Sequence, residues 1–212
     1  SEYSGASAAI GAIHLMRPEI HRVHLEGLDD VWSVSGPPAL CVMFSRLGAF
    51  GPPFDLVVSG INPGANVGRS VYHSGTVGAA LTARTGGISG VAVSQDVQMG
   101  SIEGQAWDEM IANMKWETAA TIAAAVVAGL LADLPADPVV ANLNVPNLEL
   151  AELRGWRHTQ LAQNPGRSAG SVTLEPKIGH EGTFKVQFDW GRSSEQPSES
   201  DAGAVREGYV SL

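Results

Sequence analysis

Apolar runs and helical spacing alternate along the first two thirds of the chain. Strands are predicted where apolar residues are continuous or alternate, at 31–35, 54–60, 91–95 and 138–146. The segments 54–60 and 91–95 are typical of strands buried on both faces. Helices are predicted from Pro38 to Leu47, from Ser74 to Arg84 and from Lys115 to Leu134. Alternation of strands and helices predicts an α/β fold, a doubly wound and mostly parallel sheet with helices on both faces.

The C-terminal part of the chain follows a different pattern. The segments "SVTLEP" at 171–176 and "TFKVQFDW" at 183–190 alternate with period two, which predicts a β-hairpin closed by residues 177–182. The segment 191–203 is polar and rich in turn formers, so we expect a mobile loop there. "GYVSL" at 208–212 predicts one more strand. The chain is therefore predicted to form a single domain over 1–212, with a hairpin arm and polar loop over 160–200.

Composition narrows the classes of protein and of partner. The chain has 212 residues, of which 44% are apolar, and this is enough for one sizeable core. A net charge of −9 argues against binding to long nucleic acid or to an anionic membrane. The single cysteine, Cys41, excludes an internal disulfide framework and favours a reducing, cytoplasmic location. No apolar run approaches the roughly 20 residues that span a bilayer.

A glycine-rich stretch joins the strand that ends near Ser59 to the helix that starts at Ser74. The sequence Ser74-Gly75-Thr76 places free amides, two hydroxyl groups and the positive end of a helix dipole at one point. Such a point suits a phosphate group. Serine at a helix start is also a common N-cap, so a purely structural role stays open. The stretch matches neither the Walker A pattern nor the dinucleotide glycine pattern.

Other polar residues around this stretch have competing interpretations. Asn62 and Asn66 offer carbonyl oxygens that suit a hard divalent cation, but asparagine in a turn often bonds its own backbone. Asp29 and Asp30 follow a glycine and are interpreted as a surface turn. His73 adjoins the helix start and is interpreted as a packing or hydrogen-bonding residue, with a catalytic role as the alternative.

The stretch from 55 to 83, "DLVVSGINPGANVGRSVYHSGTVGAALTA", resembles the signature of the SurE family, the stationary-phase survival proteins. Further segments agree with the family in order: "SGAS" at 4–7, "SVSGPPALCV" at 33–42, "ANLNVPN" at 141–147 and "SDAGAVREGYVSL" at 200–212. The resemblance implies a Rossmann-like, SurE-type fold. It also implies a metal-dependent phosphatase that acts on nucleoside 5′- or 3′-monophosphates.

The resemblance also assigns roles to individual residues. It implies one Mg²⁺ or Mn²⁺ ion per subunit, with Ser4 and Asn62 as ligands and Asn66 lining the same pocket. Ser74, Gly75 and Thr76 would hold the phosphate, and Asn62, Ser74 and Thr76 would form the catalytic set. The arm resembles a family element that takes part in oligomer contacts, which implies a homodimer or homotetramer.

One departure from the family leaves a second function open. The sequence contains no Asn-Asp-Asp-Gly motif, the source of two metal ligands in the family. The resemblance implies that the family's first strand, this Asp pair and the first helix would precede Ser1. The alternative function is a noncatalytic nucleotide- or phosphate-binding module that has lost its metal site.

Overall fold

The structure is a computed structural model that describes residues 17–97, 105–164, 169–190 and 194–212. Its strands are β1 Ile20–Leu25, β2 Leu28–Val34, β3 Leu56–Pro63, β4 Ser89–Gln95, β5 Val140–Val145, β6 Trp156–Arg157, β7 Ala169–Pro176, β8 Phe184–Trp190 and β9 Val210–Ser211. Its α-helices are α1 Pro38–Arg46, α2 Gly75–Thr85, α3 Gln105–Ala112, α4 Trp116–Ala132 and α5 Asp201–Arg206. Short 3-10 helices cover Gly68–His73 and Leu150–Glu152.

A five-stranded sheet in the order β3-β4-β5-β9-β6 forms the centre of the molecule. Strands β3, β4 and β5 are parallel, β9 runs antiparallel to β5, and β6 is parallel to β9. The predicted α/β class and the mostly parallel sheet are confirmed. The predicted helices over 38–47, 74–84 and 115–134 are also present, each with ends shifted by no more than two residues.

Strand β4 is buried along its whole length because helices cover both of its faces. One face carries the larger core, in which α4 packs on β4 and β5 through Val91, Val93, Ala119, Ala123, Leu143 and Val145. On the other face α2 packs on β4 through Val77, Ala80 and Ala92. The alternation of β4 side chains between two helix layers is what makes the sheet doubly wound.

The C-terminal hairpin forms as predicted from β7 and β8. Its register pairs Val172 with Phe188 and Leu174 with Val186. The Lys177 amide donates to the Thr183 carbonyl across the turn, at 2.8 Å. The predicted C-terminal β-hairpin is therefore confirmed, and the β7–β8 ladder holds it together.

The prediction for residues 29–35 is wrong in two respects. Among the described strands, β2 pairs with β1 alone, in an exposed antiparallel hairpin that lies outside the five-stranded sheet. Asp29 and Asp30 lie within β2, and the turn falls at Glu26 and Gly27 instead. The reason is that Gly27 adopts a φ of +77°, the left-handed conformation that a tight hairpin turn requires.

Two further predictions need correction. The polar segment over 191–203 is not a loop throughout, because α5 begins at Asp201 and the Ser200 and Asp201 side chains are buried. Strand β3 is not buried on both faces: Val58 is 47% exposed, since β3 lies at the edge of the sheet in the described part of the chain. None of the described helices has the length and hydrophobicity to cross a bilayer.

Candidate phosphate site at the carboxyl edge of the sheet

Helix α2 runs antiparallel to β4, which brings its first turn to the carboxyl edge of the sheet. Ala80 packs so closely on Gly90 that a Cβ on this glycine would lie 2.7 Å from the Ala80 Cα. Val77 packs further along the strand, against Ala92. At a rise of about 1.5 Å per residue, Ser74 lies about 9 Å beyond Ala80 along the helix, in the direction of the carboxyl end of β4.

The first turn of α2 leaves two backbone amides without a partner in the helix. The Ser74 hydroxyl oxygen accepts from the Val77 amide at 3.1 Å, and the Gly78 amide donates to the Ser74 carbonyl at 2.9 Å. The amides of Gly75 and Thr76 precede that first intrahelical bond and are not used by the cap. No acidic residue occupies this turn. An anion is the group that these two amides and the helix dipole favour.

Both interpretations of Ser74 are compatible with this geometry. Its role as an N-cap is confirmed by the bond from the Val77 amide. A hydroxyl that accepts this bond keeps its own proton for donation to a ligand. Ser74 and Gly75 are buried and Thr76 is half-buried. The phosphate-binding role of these three residues stays a prediction.

Asn66 is fixed in the middle of the glycine-rich loop by two strands. Its amide donates to Asn144 Oδ1 at 2.7 Å, and its carbonyl accepts from Asn142 Nδ2 at 2.9 Å. Its side-chain Nδ2 donates to Ser94 Oγ at 2.7 Å. The loop is thus anchored to the ends of β4 and β5. Sequence reasoning noted the "ANLNVPN" segment but missed these contacts.

Asn62 turns its side chain back onto its own loop. Its Nδ2 donates to the Gly64 carbonyl at 2.7 Å and to the Pro63 carbonyl at 3.3 Å. The expectation that asparagine in a turn bonds its own backbone is confirmed here. None of the described hydrogen bonds uses Asn62 Oδ1, so this oxygen remains available to a cation.

The described residues fit a divalent ion only in part. Within residues 17–97, 105–164, 169–190 and 194–212, no group of three or more His, Cys, Asp or Glu side chains could hold a metal. Asn62 Oδ1 is a single neutral ligand, whereas hard cations favour several oxygens with negative charge among them. Ser4, the other predicted ligand, lies outside the described residues.

Asp201 is a second anchor of the glycine-rich loop, and sequence reasoning missed it. Its Oδ2 accepts from the Gly68 amide at 2.7 Å, and its Oδ1 accepts from the Ala162 amide at 2.9 Å and the Ala202 amide at 2.7 Å. The side chain is almost fully buried. Gly68 has a φ of +52°, and a Cβ there would lie 2.9 Å from the Ala162 carbonyl oxygen. Only glycine suits this contact.

Asp96 places a carboxyl group directly after β4. Its amide donates to the Val145 carbonyl at 2.8 Å, which keeps it in the ladder beside β5. Burial raises the pKa of the Asp96 carboxyl to about 6, and a hydrogen bond from the Val97 amide and the charge of Arg206 oppose that rise. His73, by contrast, is exposed at the end of its 3-10 helix, beside Ser74.

A groove of about 510 Å³ runs along α2 from its first turn. It starts at Val77 and Gly78, immediately after the predicted phosphate residues. The other residues that line it are Val71, Tyr72, Leu81, Thr82, Thr85, Asn142 and Leu161. The lining is mainly apolar, with three hydroxyl-bearing side chains and one side-chain amide.

Sequence comparison decides the family. The profile described as "Survival protein SurE" matches residues 1–168, which is most of the chain. The chain belongs to the SurE family. A protein named 5′-nucleotidase SurE from Haemophilus ducreyi is 34% identical over 206 residues, covering 97% of this chain and 77% of that protein. One of the same name from Stenotrophomonas maltophilia is 36% identical over 181 residues, covering 85% of this chain and 64% of that protein.

A solved SurE structure shares the fold. The crystal structure of the SurE protein from Aquifex aeolicus superimposes with a TM-score of 0.65 and 26% sequence identity. The match covers 92% of this chain and 71% of that one. The resemblance predicted from the glycine-rich stretch is thereby confirmed at the level of family and fold.

Proposed function

We propose that this SurE chain is a 5′/3′-nucleotidase, a phosphoric monoester hydrolase that converts nucleoside 5′- or 3′-monophosphates to nucleoside and phosphate. The observation that carries the proposal is the pair of amides at Gly75 and Thr76, which begin a helix on the carboxyl side of the sheet and are used by no hydrogen bond among the described residues. Relatives named 5′-nucleotidase SurE support the substrate class. In open α/β sheets this edge is where ligands bind.

The phosphoryl group is held by the start of α2. The amides of Gly75 and Thr76 donate to its oxygens, and the hydroxyls of Ser74 and Thr76 add further donors. Phosphoryl transfer depends mainly on positioning and on charge stabilisation, because negative charge spreads over the phosphoryl oxygens in the transition state. Donors fixed by a helix and by a buried cap need no reorganisation when that charge develops.

The nucleoside binds in the groove along α2. It begins one residue after Thr76, so a phosphate on the amides directs its ester group into the groove. Val71, Leu81 and Leu161 give it an apolar surface against which a base can pack.

The activity depends on a divalent metal ion, one Mg²⁺ or Mn²⁺ per subunit. Asn62 would supply one ligand from the described residues, and Ser4 would supply another. When bound, the ion supplies Lewis-acid stabilisation of the phosphoryl oxygens. Asn66 supports the pocket through its anchored backbone, which keeps the loop between Asn62 and Ser74 in place.

The test is manganese-dependent phosphate release from a panel of substrates. The panel contains purine and pyrimidine 5′- and 3′-monophosphates and, as a phosphomonoester without a base, glycerol 2-phosphate. We expect release that requires added metal and is faster for nucleotides than for glycerol 2-phosphate. Nucleotide binding without any release would favour the noncatalytic binding module.

We also propose that the β7–β8 arm joins copies of this chain into a homodimer or homotetramer. The register puts one row of apolar side chains on a single face of the hairpin, each 47–58% exposed: Val172, Leu174, Phe184, Val186 and Phe188. The opposite face carries polar pairs such as Thr173 with Gln187. A contiguous apolar row on a protruding hairpin is typical of an interface between subunits.

A matched pair of variants tests the arm. L174S/V186S removes one cross-strand pair from the apolar row, and T173S/Q187S changes the neighbouring pair on the polar face. Light scattering after size exclusion should give a dimer or tetramer mass for the wild type and the polar-face variant. The apolar-row variant should shift to the monomer mass. A monomeric wild type, or an unchanged mass in L174S/V186S, would contradict this assignment.

Charge and composition bear on nucleic acid and membranes as partners and on the location of the protein. The net charge of −9 opposes binding to long nucleic acid and to anionic membranes. The single Cys41 is consistent with a cytoplasmic location.

A further inference from the structure

We infer that Asp201 is a positioning residue of the phosphate site, and that it fixes the glycine-rich loop to the root of the hairpin arm. This inference rests on the proposed function, because it concerns the geometry of the same site. The carboxylate joins three chain segments that are far apart in sequence. Its bond to Gly68 spans 133 residues and its bond to Ala162 spans 39.

The arm root consists of residues 160–162 and 199–201, the segments that flank the hairpin on either side. The two segments are bonded to each other: the Gln160 amide donates to the Glu199 carbonyl at 3.2 Å, and the Asp201 amide donates to the Gln160 carbonyl at 2.8 Å. Gln160 and Ser200 also form a parallel β-bridge. These bonds hold the two segments of the arm root together. The backbone at Asp201 is therefore fixed, and its side chain can hold the loop in one position.

The chemistry of the contact requires a carboxylate. Asp201 is 2% exposed and both of its oxygens accept from backbone amides, three in all. An asparagine has the same shape but only one accepting oxygen, and its NH₂ group must face at least one amide donor. Buried polar groups left unpaired are costly, and hydrogen bonds to a charged acceptor are stronger than neutral ones.

The consequence for the site follows from where Gly68 lies. Gly68 begins the 3-10 helix Gly68–His73, and that helix leads directly into the cap residue Ser74. Asn66 holds the preceding part of the loop independently of Asp201. Loss of the Asp201 bond therefore loosens the start of the segment that positions Ser74, Gly75 and Thr76, while Val71 still packs against α2 and Asn66 still holds the preceding part of the loop. A displacement of about 1 Å at such a site can lower the rate by up to about 100-fold.

The test compares D201N with S200A in the full chain. Ser200 caps α5, accepting from the Gly203 amide at 3.1 Å, and it makes no contact with Gly68 among the described bonds. S200A thus weakens the same helix start without changing the loop contact. The measurements are kcat and KM for a nucleoside monophosphate with Mn²⁺, hydrogen exchange of residues 66–74, and affinity for inorganic phosphate.

We expect D201N to lower kcat about 10-fold or more, with a smaller change in KM, and to accelerate exchange in residues 66–74. S200A should lower thermal stability but keep kcat and loop exchange near the wild-type values. Equal kcat and equal loop exchange in the two variants would overturn the role of Asp201. If the wild type releases no phosphate, the proposed function fails, and phosphate affinity then decides the inference. A Kd at least fivefold weaker in D201N supports it, and an unchanged Kd contradicts it.

Discussion

Two helices start at the same edge of the central sheet, and their first turns differ in capping and in charge. Helix α2 opens with a buried serine cap and has no acidic residue in its first turn. Helix α4 opens at Lys115 without a side-chain cap and carries Glu117 in its first turn. Thr76 and Glu117 occupy the same position, the second residue of each helix. The chain itself supplies a negative charge at α4, whereas the first turn of α2 contains no such charge.

The strands that precede these helices differ in the same way. Gln95, at the end of β4, is fully buried and donates from Nε2 to the Lys115 carbonyl, which joins the strand end to the start of α4. Asn62, near the end of β3, bonds only its own loop in the described structure. The end of β4 is therefore bonded to the helix that follows it, whereas the described bonds of the Asn62 side chain stay within its own loop. The comparison shows that the two helix starts differ in their own charge and in how the preceding strand end is bonded, and the proposed phosphate site lies at the one without an acidic residue.

The largest expected effect comes from exchanging the two first turns. T76E places a carboxylate on the free amides of α2, where it competes with the phosphate. We expect phosphate release to fall by about 100-fold or more. The fold should be kept, because an acid near a helix N-terminus stabilises it by about 0.3–1 kcal/mol.

E117T is the matched change at α4. It should leave phosphate release unchanged and lower the free energy of unfolding by about 0.3–1 kcal/mol, since a favourable charge is lost. Steady-state kinetics and thermal unfolding are measured for T76E, E117T and the wild type. Similar kinetics for T76E and the wild type would show that the α2 amides do not hold the phosphate.

A smaller effect is expected from the two strand ends. N62A removes the proposed metal ligand and the bonds to Pro63 and Gly64, so phosphate release should fall by about 10- to 100-fold. More Mn²⁺ should be needed for half-maximal activity. Q95L keeps the volume at the other strand end, and its activity should match the wild type. An unchanged manganese dependence in N62A would show that Asn62 is not a metal ligand.

The last effect concerns the stability of the fold and the carboxyl group of Asp96, directly after β4. Its pKa is raised from 3.8 to about 6 in the fold, because burial favours the neutral form. The folded state therefore favours the protonated carboxyl of Asp96. The resulting stabilisation is fully present below about pH 4 and is lost as the pH rises through 6. From pH 4 to pH 7 the unfolding free energy of the wild type should fall by on the order of 2 kcal/mol more than that of D96N.

Chemical denaturation at several pH values measures this difference. D137N, at an exposed carboxyl outside the sheet edge, is the control and should follow the wild type. Parallel curves for the wild type and D96N would exclude a raised pKa at Asp96.

The sequence predicted those parts of the fold that depend on local spacing. The alternation of buried strands with helices, the start of α2 and the β7–β8 hairpin are all encoded within short windows, and each is confirmed. The pattern at 31–35 predicts a strand of the central sheet, and this prediction is wrong, because period-two alternation does not show which surface a strand will face. Its partner turned out to be β1, with both strands largely exposed.

The contacts that hold the site could not be predicted in this way. Asn66 meets Asn144 across 78 residues, and Gly68 meets Asp201 across 133. Polar residues in "SESDAG" indicate a loop when only their neighbours are considered. In the fold, Asp201 is buried because three backbone amides compensate for its lost hydration.

The most direct test of the central claim is a titration of the ¹⁵N-labelled chain with inorganic phosphate in the presence of Mg²⁺, followed by NMR. The account predicts saturable shifts of the Gly75 and Thr76 amide signals, with the Trp116 and Glu117 amides at the start of α4 unchanged. Unshifted Gly75 and Thr76 signals at saturating phosphate, or equal shifts at both helix starts, would contradict it.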